Sequence, residues 1–359
     1  MSVDQTLAQA GSCIRDGQTF ERQGTLEGLA SAVKSYEAAI TLLRALPTES
    51  ERVRNGLAIA LMNRGNALQK QPDPVALDSA VSSYDEAIVL LQTLPLEHSA
   101  MDRNTLGAAW MNRGHAQLAR NEPASLIESL QSFREAIRVL KTLPLDGAAP
   151  FRMNLSAALM NESNALLKSQ DPVRALASAT AAVAVTTPSE ELDPVLADIG
   201  LKARRAACEA LGQRLFFASQ RGEPTQELAE QAIDLVEEAL VVARRWESQG
   251  HHQFRYIAAR LYRFGAQLYA AQHPDFIAEF LLEHVDPARS AGAMAETEEF
   301  YLIAAEALTR VRQDLEARRA AFLDTPETNR LLQRFRDLRD AEVRLAELRA
   351  HHLGAPTKA

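Results

Sequence analysis

Leu57, Leu61, Gly65 and Leu68 recur at steps of three or four. That spacing is helical, and it predicts an amphipathic helix over about 53–69. The run Gln71-Pro72-Asp73-Pro74 breaks it, because proline has no amide hydrogen and disfavours helical geometry in the residue before it. A second stripe, Leu77, Ala80, Tyr84, Ala87 and Ile88, predicts a partner helix from near Val75 to the stop signal Leu94-Pro95.

The pattern repeats. Leu61-Met62-Asn63-Arg64-Gly65-Asn66-Ala67-Leu68 returns as Trp110-Met111-Asn112-Arg113-Gly114-His115-Ala116-Gln117 and as Leu159-Met160-Asn161-Glu162-Ser163-Asn164-Ala165-Leu166, each copy 49 residues after the last. The second helix returns with it, later as Phe133, Ala136, Ile137 and Leu143-Pro144, and earlier as Ala32, Tyr36, Ala39, Ile40 and Leu46-Pro47. The first copy of helix A, about 5–20, is degenerate: Gly17 matches Gly65, but Arg15 stands for the asparagine and Cys13 for the leucine. Terminal repeats diverge because one flank faces water. In the fourth copy helix B, about 173–185, carries Ala175, Ala177, Ala179 and Ala182, small residues that permit close helix approach.

A fixed period of this size means stacked supersecondary units, none of which buries its apolar face alone. The expected fold is all-α, an α-solenoid of stacked antiparallel helical hairpins with long C-terminal helices. Thr187-Pro188-Ser189-Glu190-Glu191 is a composition break with a helix-start signature, and the regular register ends there. Helical stripes continue over about 193–219, 225–248 and 253–271, then a short one through Phe276, Phe280 and Leu281, and two long ones over about 295–322 and 325–352. The organisation read from this is four repeats over 1–190, degenerate hairpins continuing the solenoid over 191–290, and capping or pairing helices over 291–359.

Composition changes the picture in three ways. Nearly half of the 359 residues are apolar but only 6% are aromatic, which suits close-packed helices better than sheets. A net charge of −8 disfavours nucleic acid as the main partner. Cys13 and Cys208 belong to no C-x-x-C or Cys/His cluster, so they read as buried thiols in a reducing compartment. The start of the chain has neither a basic nor an apolar leader segment, and no run of about 18 apolar residues occurs, so a cytoplasmic protein without membrane contact is expected.

At Gly65, Ala80, Tyr84 and Ala87 the chain resembles the tetratricopeptide repeat (TPR) family, whose helix A glycine and helix B alanine–aromatic–alanine triplet lock two helices together. The pattern also stands at Gly17, Ala32, Tyr36 and Ala39, and at Gly114, Phe133 and Ala136, with Ser129 for the first alanine. The period of 48 or 49 exceeds the family norm of about 34, so this is a long-period variant. The resemblance covers about 4–190 well and 191–290 weakly. It implies a binding module for other proteins, non-catalytic and without a cofactor.

In family members that grip an extended peptide, the asparagine two residues before the glycine and the residue just after it face the concave surface. The matching positions are Asn63, Asn112 and Asn161, with Asn66, His115 and Asn164. A carboxamide both donates and accepts, so such a ladder can bond a peptide backbone without reading its side chains. The competing account is that the same amides bond a neighbouring helix and set repeat stacking. Met62, Met111 and Met160 beside the ladder form either an adaptable apolar floor or plain packing. Arg64 and Arg113 fall near the groove edge, with Glu162 replacing them in the fourth copy. Arg54, Arg103 and Arg152 also recur, each at the start of a helix A, and are expected to pair with linker acids such as Glu49 or Glu97.

Arg244-Arg245-Trp246 through His251, Phe254, Arg255, Tyr256 and Arg260 to Phe264 mixes cations with aromatics. That composition suits stacking on a polyanion, which supports a second reading as a ligand-responsive regulator contacting nucleic acid. The alternative is an amphipathic helix with its aromatics in the core. His251-His252 and His351-His352 are adjacent pairs whose side chains diverge on a helix, so no metal site is expected. Nucleophile elbow, P-loop, dinucleotide and H-E-x-x-H motifs are absent. The expected role is a cytoplasmic, bacterial scaffold or adaptor, with a partner peptide or helix in its concave groove and its last two helices capping the stack or forming a homodimer.

Overall fold

The computed structural model describes residues 2–251 except Gly147, together with Phe254 and a few single positions beyond. The helices expected over 253–271, around Phe276, and over 295–322 and 325–352 lie outside the described residues. The chain divides into two compact units, Met1–Val185 and Thr186–Ala359.

The first unit is four helical hairpins: α1 (Val3–Glu21) with α2 (Leu26–Arg44), α3 (Glu51–Gln69) with α4 (Pro74–Gln92), α5 (Ala100–Ala119) with α6 (Pro123–Leu140), and α7 (Ala149–Lys168) with α8 (Pro172–Thr186). Each hairpin packs on the next, with the second helix of one against the first of its successor. Local chemistry sets the boundaries. Ser2 and Gln5 form a reciprocal capping box on α1, and Thr25, Asp73 and Ser99 accept from the first-turn amides of α2, α4 and α5. Pro74, Pro123 and Pro172 each occupy the first position of a second helix, where the missing amide hydrogen costs nothing and the fixed φ is already helical.

One contact holds each hairpin shut. The buried rings of Tyr36, Tyr84 and Phe133 lie on Gly17, Gly65 and Gly114, so closely that a Cβ there would come within 2.5, 2.7 and 2.6 Å of the ring. A glycine is required because the ring occupies the space of any side chain. In the fourth hairpin the register puts Ser163 at the glycine position and Ala182 at the aromatic one. The larger helix A residue faces a smaller helix B residue, which conserves volume in a close-packed interior. A continuous core runs between hairpins through Ile40, Leu43, Leu57, Leu61, Ile88, Leu91 and Leu106.

In the second unit the break after α8 is a 3₁₀ turn, Thr187–Ser189, leading to α9 (Pro194–Gln220), which packs against α10 (Gln226–Ser248). Glu190 follows the turn and is buried, with its carboxylate accepting from Arg204 Nη1 at 2.8 and 3.0 Å and from Thr186 Oγ1 at 2.8 Å. Trp246 Nε1 donates to the Glu190 carbonyl at 2.9 Å. Cys208 is buried in α9 and Cys13 half-buried in α1, both as free thiols; burial, and to a lesser degree Glu209, push the Cys208 thiol up to about 12. Among the described residues no helix is long and apolar enough to cross a membrane.

Candidate protein-binding face

The repeated asparagines lie on the first helices of successive hairpins and meet one another across the seam between them. Asn112 Nδ2 donates to Asn66 Oδ1 at 3.0 Å, and one repeat later Asn161 stands beside His115, close enough to raise the His115 pKa slightly against its burial. The asparagine of each repeat thus reaches the residue just after the glycine of the repeat before. Tyr84 Oη, with one proton to give, lies 2.8 Å from Asn66 Oδ1, the closer acceptor, and 3.1 Å from Gln69 Oε1. Because the Asn66 carbonyl is held by two donors, its own amino group is left to donate outward, and the Asn112 carbonyl is left to accept. The Asn112–Asn66 rung does the stacking job weighed from sequence, joining the first helices of successive repeats.

The row is open at both ends. Asn63 Nδ2 is buried and has no hydrogen-bond partner, while Asn164 is exposed. Met62, Met111 and Met160 are half-buried beside the row, and Ile59 is exposed one turn before Met62 and Asn63. Two further amide contacts extend the seam, Asn55 Nδ2 to Asp102 at 3.1 Å and Asn154 Nδ2 to Asn104 at 2.9 Å.

His115 sits edge-on to Phe133, with ring centroids 5.6 Å apart. Burial lowers its pKa, against a smaller opposing effect of the hydrogen bond to Asn161. The unfolded chain then binds a proton that the folded one resists, so stability rises with pH through this window and falls as pH drops below the ordinary histidine value. We expect the melting temperature to fall between about pH 7 and pH 5.5 by less in His115→Gln than in the wild type. Equal slopes in the two proteins would remove His115 as the cause.

Arg64 and Arg113 bridge successive repeats. Each closes the seam to the preceding second helix. Arg64 Nε donates to Glu37 Oε1 at 3.1 Å and Nη1 to Ser83 Oγ at 2.7 Å; Arg113 Nε donates to Asp85 Oδ1 at 2.6 Å and Nη1 to Ser132 Oγ at 2.7 Å. In the fourth repeat the polarity is inverted, with Arg134 Nε donating to Glu162 Oε1 at 3.1 Å and Ser178 Oγ to Glu162 Oε2 at 2.8 Å. Sequence reasoning missed this pairing, although a signal existed: the residue after each aromatic, Glu37, Asp85 and Arg134, is complementary to the one before the next glycine position.

Arg54, Arg103 and Arg152 bind the linkers, mainly through main-chain carbonyls; Arg152 also pairs with the linker acid Asp146 at 3.6 Å, whereas Glu49 and Glu97 offer their carbonyls. Arg54 Nη1 donates to Thr48 O at 2.8 Å and Glu49 O at 2.9 Å, Arg103 Nη1 to Leu96 O, and Arg152 Nε to Leu145 O at 2.8 Å. The carbonyls of a tight linker have no helical partner, and a guanidinium satisfies several at once.

In the described part of the Arg/aromatic segment the aromatics are core. Trp246 and Phe254 are buried and stacked at 6.2 Å, His251 meets Trp246 edge-on at 5.1 Å, and Arg245 pairs with Glu191 at 2.7 Å. Arg255, Tyr256, Arg260 and Phe264 lie outside the described residues, as do His252, His351 and His352. No cluster of histidine, cysteine and carboxylate side chains able to hold a metal occurs among the described residues.

No family model matches the chain, and no curated protein is similar enough in sequence to match. Among solved structures, aspartyl phosphate phosphatase F of Bacillus subtilis matches with a TM-score of 0.50 and 10% identity over 100% of this chain and 97% of that one. A kinesin light chain from Podosopora anserina with nearly identical TPR-like repeats matches with a TM-score of 0.45 and 16% identity, over 63% of this chain and 95% of that one. A nuclear import adaptor of S. pombe matches with a TM-score of 0.44 and 12% identity, over 93% and 100%. At these identities the likeness is one of fold: all-α, TPR-like, with the helices in sequential antiparallel pairs.

Proposed function

We propose that the chain is a non-catalytic scaffold or adaptor that holds an extended peptide or a partner helix against the face made by the first helices of its repeats. The observation that carries this reading is the pre-set amide row. The rungs occupy the Asn66 carbonyl and the Asn112 amino group and leave the Asn66 amino group and the Asn112 carbonyl for a ligand. Met62, Met111 and Met160 beside the row supply apolar surface that adapts to different side chains. The resemblance to peptide-holding repeats points the same way.

The test is capture from a cell lysate with the wild type beside Asn63→Ala/Asn112→Ala/Asn161→Ala, both shown by circular dichroism to be folded at the temperature used. Each lost amide bond to a peptide backbone weakens binding by about five-fold, so the triple variant should retain a captured partner at least about tenfold less well. Equal capture by both folded proteins would mean that the row serves stacking alone.

A further inference from the structure

A second surface lies between the second helices of the first two repeats. Here α2, α3 and α4 enclose a cleft of about 400 Å³, with Leu61 and Ile40 among its walls, Arg64 and Ser83 on one side, and Arg44 and Glu86 on its rim. Arg44 pairs with Glu86 at 2.6 Å across the gap from α2 to α4.

The protein itself shows what this kind of cleft accepts. One repeat on, the register replaces Leu61 with Trp110, Arg64 with Arg113 and Ser83 with Ser132. The Arg113 guanidinium lies over the Trp110 ring, 5.5 Å from its centroid, and the ring packs on the core shared with Ile88, Leu91 and Val139. Arg64 is tied down by the same two bonds as Arg113, Nη1 to a serine hydroxyl at 2.7 Å and Nε to the acid after the aromatic. Its guanidinium is therefore held as if to cover a ring, but a leucine stands at that position and an open cleft beside it.

We propose that this cleft takes a tryptophan side chain from a partner protein, seated on Leu61 beneath Arg64 as Trp110 sits beneath Arg113. The indole is the best cation–π acceptor among side chains and, with tyrosine and arginine, is enriched among the residues that carry binding energy at protein interfaces. Glu86 or Ser82 on the rim accepts its N–H. The chain has two tryptophans, and both are engaged: Trp110 under Arg113, and Trp246 buried with its Nε1 bonded to Glu190 O. Neither of these two fills the cleft over Leu61. This anchor lies apart from the amide row, so the two surfaces are separable by mutation.

The test uses N-acetyltryptophanamide as the probe, with the full chain, read by ligand-observed saturation transfer and by the Ile40 methyl resonance. We expect a Kd of about 1 mM for the wild type. Leu61→Trp fills the cleft from below, and Thr41→Tyr covers it from the exposed rim; each should weaken binding by at least about tenfold. N-acetylalaninamide should not bind, and N-acetylphenylalaninamide should bind more weakly. Thr41→Tyr decides the matter where Leu61→Trp does not fold. An Ile40 resonance unmoved at about 10 mM probe, undiminished binding to the folded filled variants, or equal binding of the phenylalanine analogue would each overturn the assignment.

Discussion

Arg204→Met should destabilise the second unit by about 3–5 kcal/mol. Arg204 is 4% exposed and Glu190 3%. One guanidinium nitrogen reaches both carboxylate oxygens, and Gly200 leaves room for the carboxylate so tightly that a Cβ there would fall 1.7 Å from Oε1. Methionine preserves most of the packed volume but leaves a buried carboxylate with only the Thr186 hydroxyl. The cost is that of an uncompensated charge, not the worth of an ion pair. Replacing both partners, in Glu190→Gln/Arg204→Met, should therefore recover a large part of the loss. Urea unfolding followed by the indole N–H resonance of Trp246, which bonds to Glu190 O, reads this unit specifically. A loss below about 1 kcal/mol in the single variant would show that the pair is not an essential part of the core.

Tyr84→Ala should cost about 3–5 kcal/mol in the first unit. The ring is fully buried on Gly65, and its hydroxyl lies within hydrogen-bond reach of Asn66 and Gln69. Truncation leaves a cavity between α3 and α4 and releases the amide whose carbonyl receives Asn112. Tyr84→Phe separates the two contributions. It keeps the ring and removes one donor, so a loss of about 0.5–1.5 kcal/mol is expected. The third repeat supports this division, since Phe133 sits on Gly114 with no hydroxyl at all. Chemical denaturation midpoints decide it: a Tyr84→Phe loss as large as that of Tyr84→Ala would place the stabilisation in the hydrogen bonds and not in the ring.

The candidate face shows where reading the chain stops. Asn63, Asn112 and Asn161 stand out by their period, and their helix A positions follow from the apolar stripe around them. What each amide bonds does not follow. Asn112 and Asn66 are 46 residues apart, and they meet only because α3 and α5 lie side by side with one register. Helical phase puts Arg64 and Arg113 near a groove edge but does not name their ion-pair partners. The neighbouring helix decided them, supplying Glu37 and Asp85.

By itself the sequence determined everything that local geometry controls. Apolar residues at helical spacing, prolines at first helical positions, Leu-Pro stops and the glycine–aromatic pairs set the elements, their ends and the hairpin lock, because each depends on residues within one supersecondary unit. Tertiary structure alone decided the polar chemistry: the orientation of the amide row, the inverted Glu162–Arg134 bridge, the cleft over Leu61 and the buried Glu190–Arg204 pair. Hydrogen bonds and ion pairs are short-ranged and directional, so their partners are settled only when helices distant in the chain are packed to within a few ångströms of each other.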